Sequence, residues 1–194
     1  MIIGLTGGIG SGKTTVAHLF ETLGCVIYNS DERAKDLYLN IEIKKQVIAL
    51  LGKEAYTNDL KINKVYISQA VFSDKNILKQ LNAIIHPAVK NDFKLFADSY
   101  PQETLIIKES ALLFEENLYQ QCHKTVLVIS PLDLKIDRVM KRNAISKLDV
   151  EKRMLSQWTD EQKIPLADFI IINDDKKALI PQVLNIISQL KINA

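Results

Sequence analysis

The chain has 194 residues, 47% of them hydrophobic and 25% charged, with 25 Lys and Arg against 23 Asp and Glu for a formal net charge of +2. This near-average composition excludes extended disorder and leaves room for one compact core with insertions folded onto it, rather than two independent domains. The balanced charge gives no reason to expect nucleic acid or an anionic membrane surface as a partner.

At the N-terminus, Met1 to Thr6 is an apolar run suited to a buried strand. It feeds into Gly7-Gly8-Ile9-Gly10-Ser11-Gly12-Lys13-Thr14, the spacing G-x-x-x-x-G-K-[ST] of a phosphate loop, and a helical pattern begins at Thr14-Thr15-Val16. Strand, glycine-rich turn and helix follow in the order that lets backbone N–H groups and the helix N-terminus converge on phosphate oxygens. Gly8, Gly10, Ser11, Gly12, Lys13, Thr14 and Thr15 are therefore expected to bind a nucleoside triphosphate. Lys13 would reach the β and γ phosphates and the Thr14 hydroxyl would face Mg²⁺.

Cys25 to Asn29 reads as a second strand, and its end delivers Ser30-Asp31. In open α/β sheets ligands bind outside the carboxyl ends of the strands, which places Asp31 on the expected ligand rim. A helix N-cap is the other role open to it. From Asp31 to Tyr100 the pattern is helical, broken by a turn between Gly52 and Asn63. Leu78, Leu81, Ile84 and Ile85 share one face of a helix that His86-Pro87 is expected to interrupt or restart.

Sheet signals return at Thr104–Glu109 and Lys124–Ile129, two short apolar runs fit for central parallel strands. A helix is expected from Pro131 to Arg142. It is followed from Asn143 to Ile164 by a charged stretch without a wide apolar face, read as a mobile helical hairpin. Phe169–Asn173 is the last strand, and Lys176 to Ile192 the closing amphipathic helix. The fold class is thus α/β, a P-loop kinase-like three-layer fold with a five-stranded parallel sheet, a helical insertion and a helical lid. Residues 1–39, 101–142 and 165–194 would form the nucleotide-binding core, 40–100 the insertion and 143–164 the lid.

Two cysteines, Cys25 and Cys122, make neither a disulfide framework nor a metal-ligand spacing. With no basic leader and no run long enough to span a bilayer, a soluble cytoplasmic protein is expected.

A phosphate loop identifies the ligand class and not the reaction. The D-x-x-G and N-K-x-D signatures of GTPase switches are absent from the sequence. A compact sheet, a helical acceptor region and an arginine-bearing lid together point to a small-molecule kinase. Arg138 and Arg142 stand at i and i+4, on one side of their helix, with Arg153 further along; together they could neutralise a transferring phosphoryl group, or form a solvated face. The segment around Asn173 is a candidate for adenine contacts.

Across nearly its whole length the sequence resembles the dephospho-CoA kinase family. The resemblance rests on Gly4 to Thr15, Asp31, Phe72, Leu81-Asn82-Ala83-Ile84-Ile85-His86-Pro87 and Leu112-Leu113-Phe114-Glu115. It continues through Arg138, Arg142, Arg153-Met154 with Gln157, and Ala167-Asp168 with Ile171 and Asn173. It implies ATP-dependent phosphorylation of the ribose 3'-hydroxyl of dephospho-CoA, the last step of coenzyme A synthesis. It also implies that Asp31 orients the acceptor hydroxyl and that His86 contacts the substrate or fixes its loop. Leu112, Leu113 and Glu115 would line the acceptor cleft, Glu115 having a helix-start role as its alternative. Where the family carries Asp-Ala-Asp and an Arg four residues on, this chain has Asn29-Ser30-Asp31 and Lys35, which keeps a charge for the substrate but loses the bidentate fork. Ala111 and Asn143 replace the family's usual Pro and Asp. The alternatives are another P-loop nucleoside or nucleotide kinase, and a nucleotide-binding regulator that transfers nothing.

Overall fold

The computed structural model describes residues 1–57, 59 and 61–192, and within helices it leaves the side chains of Phe72, Lys191 and Ile192 undescribed. Two compact units emerge. One combines Met1–Asn29 with the chain from Pro101 onward, and the other is Ser30–Tyr100.

The first unit is built on five parallel strands: β1 (Ile2–Thr6), β2 (Val26–Asn29), β3 (Ile106–Glu109), β4 (Lys124–Ile129) and β5 (Phe169–Ile172), in the spatial order β2-β3-β1-β4-β5. Each matches an apolar run expected to form a strand. Parallel pairing needs crossovers, and in this unit α1 (Lys13–Thr22), α6 (Leu132–Asn143) and α9 (Leu179–Ile192) follow β1, β4 and β5. Val16, Ala17 and Phe20 of α1 join Val183, Ile186, Ile187 and Leu190 of α9 over Ile3, Leu5, Ile107, Val126, Val128 and Ile171 of the strands, all buried. Burying such side chains contributes roughly 1.5–3 kcal/mol each, which makes this cluster the main stabilising element of the unit.

Between α6 and β5 lie α7 (Lys147–Met154) and α8 (Asp160–Lys163). Ser146 caps α7 through the Asp149 amide, and Thr159 with Gln162 forms a capping box on α8. This segment does have a buried face: Val150 is fully buried with Ile136 and Val139 of α6, and Ile9, Ile145 and Met154 pack around them. Charged neighbours on either side conceal that narrow contact in the sequence.

The second unit is helical, with α2 (Ser30–Leu37), α3 (Ile41–Leu51), α4 (Lys64–Ser73) and α5 (Lys75–Asp98). Its core gathers Val47, Leu51, Ala55, Tyr56, Ile67, Leu81 and Ile85. Helix α2 belongs here, ten residues ahead of the expected boundary at 39/40, because Ala34 and Tyr38 pack on this core and Arg33 pairs with Asp92 of α5. In the expected Gly52–Asn63 turn, Tyr56 and Ile62 form an isolated antiparallel bridge, while Asn58 and Leu60 lie outside the described residues.

His86-Pro87 does not break α5, which runs on through Pro87. A proline inside a helix removes one backbone hydrogen bond and crowds the carbonyl four residues earlier, at about 3 kcal/mol. Here Pro87 and Ala83 are both exposed, so water reaches the bereft carbonyl, while buried Leu81, Ile85 and Phe93 hold the helix on either side.

Candidate active site

The turn from Gly7 to Gly12 closes on itself through the Ser11 amide, which donates to the Gly8 carbonyl at 3.0 Å. Gly10 (φ 81°) and Gly12 (φ 88°) occupy the left-handed region. A side chain at either would be strained, and its Cβ would run into the Lys135 backbone at Gly10 or the Asn173 carboxamide at Gly12. These glycines therefore let α6 and the end of β5 close directly on the loop.

Behind the loop sits a residue that the sequence reading passed over as the last member of a strand. Glu109, buried at the carboxyl end of β3, lies 3.1 Å from Lys13 Nζ and accepts from Thr14 Oγ1 at 3.3 Å. Its other oxygen accepts from Asn29 Nδ2 at 3.3 Å. A carboxylate at the inner end of a central strand, adjacent to a phosphate loop, is the signal that could have flagged it.

On the other flank, Arg138 of α6 braces the loop. Its guanidinium donates to the Gly10 carbonyl (3.4 Å), Ser130 Oγ (3.0 Å), the Asn173 carbonyl (3.3 Å) and Asp175 Oδ1 (2.5 Å). Asn173 in turn donates through Nδ2 to the Ser11 carbonyl at 2.8 Å. Arg138 and Asn173 thus meet at the loop, with Ser130 and Asp175 as partners that no motif announced. Arg142 does not join them: it is exposed and its Nε donates to the neighbouring Asn143 Oδ1 at 2.9 Å. Arg153, on α7, is exposed as well.

The Leu112–Glu115 segment divides. Leu112 is half-buried. Leu113 is fully buried against Gly4 of β1, where a Cβ on Gly4 would come within 2.7 Å of Leu113 Cδ2, so it fills core and not an open cleft. Glu115 starts no helix. Its Oε1 pairs with Lys163 Nζ at 2.8 Å and accepts from the Trp158 amide at 2.9 Å, fastening the chain around α8 to the segment after β3. At the amino ends of β4 and β5, Asp168 accepts from the Thr125 amide and hydroxyl and pairs with Lys124, tying β4 to the start of β5. Burial pushes the Asp168 carboxyl up, but Lys124 and the two Thr125 donors together outweigh that and hold it below the usual aspartate value.

In the helical unit, Asp31 is exposed in the first turn of α2, one residue inside the helix and so not its N-cap; a carboxylate there is favoured by the helix dipole. Lys35 lies in the last turn of α2 and His86 near the middle of α5, both exposed.

Thr14 and Glu109 offer oxygen donors suited to a hard divalent cation that keeps most of its shell for water and phosphate. Among the described residues, no group of three or more His, Cys, Asp or Glu could hold a metal by itself. No helix among them is long and apolar enough to cross a membrane.

Comparison with known proteins gives a consistent result. The family model for dephospho-CoA kinase matches residues 1–178. A dephospho-CoA kinase of Bacteroides fragilis is 38% identical over 187 residues, covering 96% of this chain and 91% of that protein. The crystal structure of TT1252 from Thermus thermophilus superposes with a TM-score of 0.88 at 31% identity, covering 97% of this chain and 96% of that one. A dephospho-CoA kinase from Campylobacter jejuni shares the fold at a TM-score of 0.72 and 24% identity, over 100% and 98% of the two chains.

Proposed function

The chain belongs to the dephospho-CoA kinase family, and from that membership we propose that it transfers the terminal phosphoryl group of ATP to the ribose 3'-hydroxyl of dephospho-CoA, giving CoA and ADP. The observation that carries this reading is the match over residues 1–178 together with a phosphate loop whose lysine and hydroxyl converge on one buried carboxylate.

In this reading the loop amides and Lys13 hold the β and γ phosphates, and Arg138 and Asn173 keep the loop in its cradle and flank the adenosine end of ATP. Asp31 orients the acceptor hydroxyl and receives its proton as the new P–O bond forms and the bond to the β-phosphate oxygen breaks. Lys35 and His86 serve the acceptor from the helical unit, and Leu112 lines its cleft, with Leu113 and Glu115 supporting that segment from beneath. Arg142, at the end of α6, and Arg153, on α7 of the lid, are both exposed and would neutralise phosphate charge once both substrates are bound.

Thr14 and Glu109 would hold Mg²⁺, which would supply neutralisation of phosphate charge. Lys13 would then give up part of its contact with Glu109 in favour of phosphate. Residues 143–164 act as the lid, 30–100 as the acceptor-binding insertion, and the remainder as the nucleotide core. A cytoplasmic setting, where ATP is abundant and thiols stay reduced, suits a chain in which neither Cys25 nor Cys122 is engaged in a disulfide.

The test is product analysis. Purified protein with ATP, Mg²⁺ and dephospho-CoA is expected to yield CoA and ADP in equal amounts, with AMP, adenosine and shikimate far poorer acceptors. Release of free phosphate without CoA, or preference for one of the other acceptors, would overturn the assignment.

A further inference from the structure

A cavity of about 380 Å³ opens beside the first half of the phosphate loop, lined among others by Gly8, Ile9, Lys135, Gln157 and Asp160. Two of these lining residues supply donors that side chains of the lid engage. The Ile9 amide donates to Gln157 Oε1 at 2.9 Å. The ammonium of Lys135, a residue only 8% exposed, pairs with Asp160 Oδ2 at 2.5 Å. Gly8 lies between them: a Cβ there would stand 3.5 Å from Lys135 Nζ, 3.7 Å from Asp160 Oδ1 and 3.9 Å from Gln157 Oε1. An N–H of the phosphate loop and a nearly buried cation are therefore both capped by oxygens of one short segment, residues 157–160.

A buried ammonium needs an anionic partner, and a loop N–H in a phosphate cradle needs an acceptor. Both needs are met here by side chains that reach in from the lid. A phosphate oxygen satisfies the same donors with shorter, charge-assisted hydrogen bonds. Gly8 keeps the space between them free of any side chain, so the exchange requires only that Gln157 and Asp160 withdraw.

We propose that Lys135 is a second phosphate-facing cation of this kinase, acting on the terminal phosphate of ATP, and that Gln157 and Asp160 are surrogate acceptors which that phosphate displaces. The inference rests on the reading that ATP phosphates occupy the loop. It makes Lys135 a residue that separates ATP from ADP, because only the triphosphate extends to the Gly8 side. It also makes Asp160 a competitor of the nucleotide and not part of its site.

Calorimetric titration of the full-length protein with a non-hydrolysable ATP analogue and with ADP tests this. Lys135→Ala is expected to weaken the analogue at least tenfold, in keeping with loss of a charge-assisted hydrogen bond, while ADP changes less than threefold. Lys135→Arg should recover most of the loss. Asp160→Asn should tighten the analogue severalfold, since the competing carboxylate is gone. Equal loss for both nucleotides in Lys135→Ala and Asp160→Asn, with lowered thermal midpoints that the double variant restores, would show a purely structural ion pair and overturn the proposal. So would a Lys135→Ala protein that folds normally and binds the analogue as before. Lys13→Ala serves as the control: it should weaken both nucleotides, and failure to do so would remove the loop site itself, an outcome distinct from failure at Lys135 alone.

Discussion

Glu109 Oε1 stands 3.1 Å from Lys13 Nζ, and the same oxygen accepts from the hydroxyl of Thr14. One buried carboxylate thereby engages both side chains that follow the glycine turn. Glu109→Gln keeps the shape and removes the charge. We expect turnover to fall about 10²-fold and the Mg²⁺ concentration for half-maximal rate to rise, the size typical of losing one preorganised electrostatic group. A steady-state Mg²⁺ titration checks both; an unchanged metal requirement would separate Glu109 from the cation.

Asp31→Asn addresses the acceptor side. Binding of ATP should change little, because the residue is placed on α2 and not in the loop, while kcat should fall about 10²–10⁴-fold, the range for loss of general-base assistance. Turnover within threefold of the parent would remove Asp31 from the chemistry.

Glu115→Ala tests the fastening of α8. The side chain of Lys163 is 0% exposed and that of Glu115 10%, so truncation strands a buried ammonium. A cost of about 3–5 kcal/mol in urea denaturation is expected, with much of it recovered when Lys163→Met is added. A single variant as stable as the parent would mean the lysine finds water.

Asp168 predicts how the fold responds to acid. Its carboxyl is held below the normal aspartate value, so its contribution to stability is fully present above the unfolded-state pKa of about 3.9 and is lost as pH falls through the lower folded value. The difference in thermal midpoint between the parent and Asp168→Asn should therefore be largest near neutral pH and shrink below about pH 4. A gap independent of pH would assign the effect to hydrogen bonding alone.

Cys122 makes the opposite case. Burial pushes its thiol up to about 11, only partly countered by the charge of Lys108. The folded protein should resist alkylation there at pH 8 and lose stability as pH rises from the ordinary thiol range toward 11, since the unfolded chain releases that proton first. Ready modification of Cys122 in the native protein at pH 8 would contradict this.

What could be read from the sequence was local. The five strands and the Gly7–Thr14 turn announce themselves through runs of apolar residues and a fixed spacing, because each depends on its own neighbours. Glu109 could not be weighed in the same way. Its importance comes from parallel pairing that aligns it with Leu5 and Asn29, residues 104 and 80 positions away. Arg138 and Arg142 look equivalent on a helical wheel, yet only Arg138 meets the loop, because Ser130, Asn173 and Asp175 supply acceptors on its side. Lys163 reads as one more charge in a polar stretch until Glu115 is seen opposite it. Pro87 misled for another reason: packing on either side of it outweighs the local penalty.

The division of the chain also bears on how it is made. All of Ser30–Tyr100 leaves the ribosome as one continuous stretch, and its helices can settle on each other while synthesis proceeds. The sheet has no such freedom: β1 and β2 have no strand to pair with until β3, the partner of both, has been translated. For that interval the nascent polypeptide carries two unpaired apolar segments, separated from their partner by a body that is already folding.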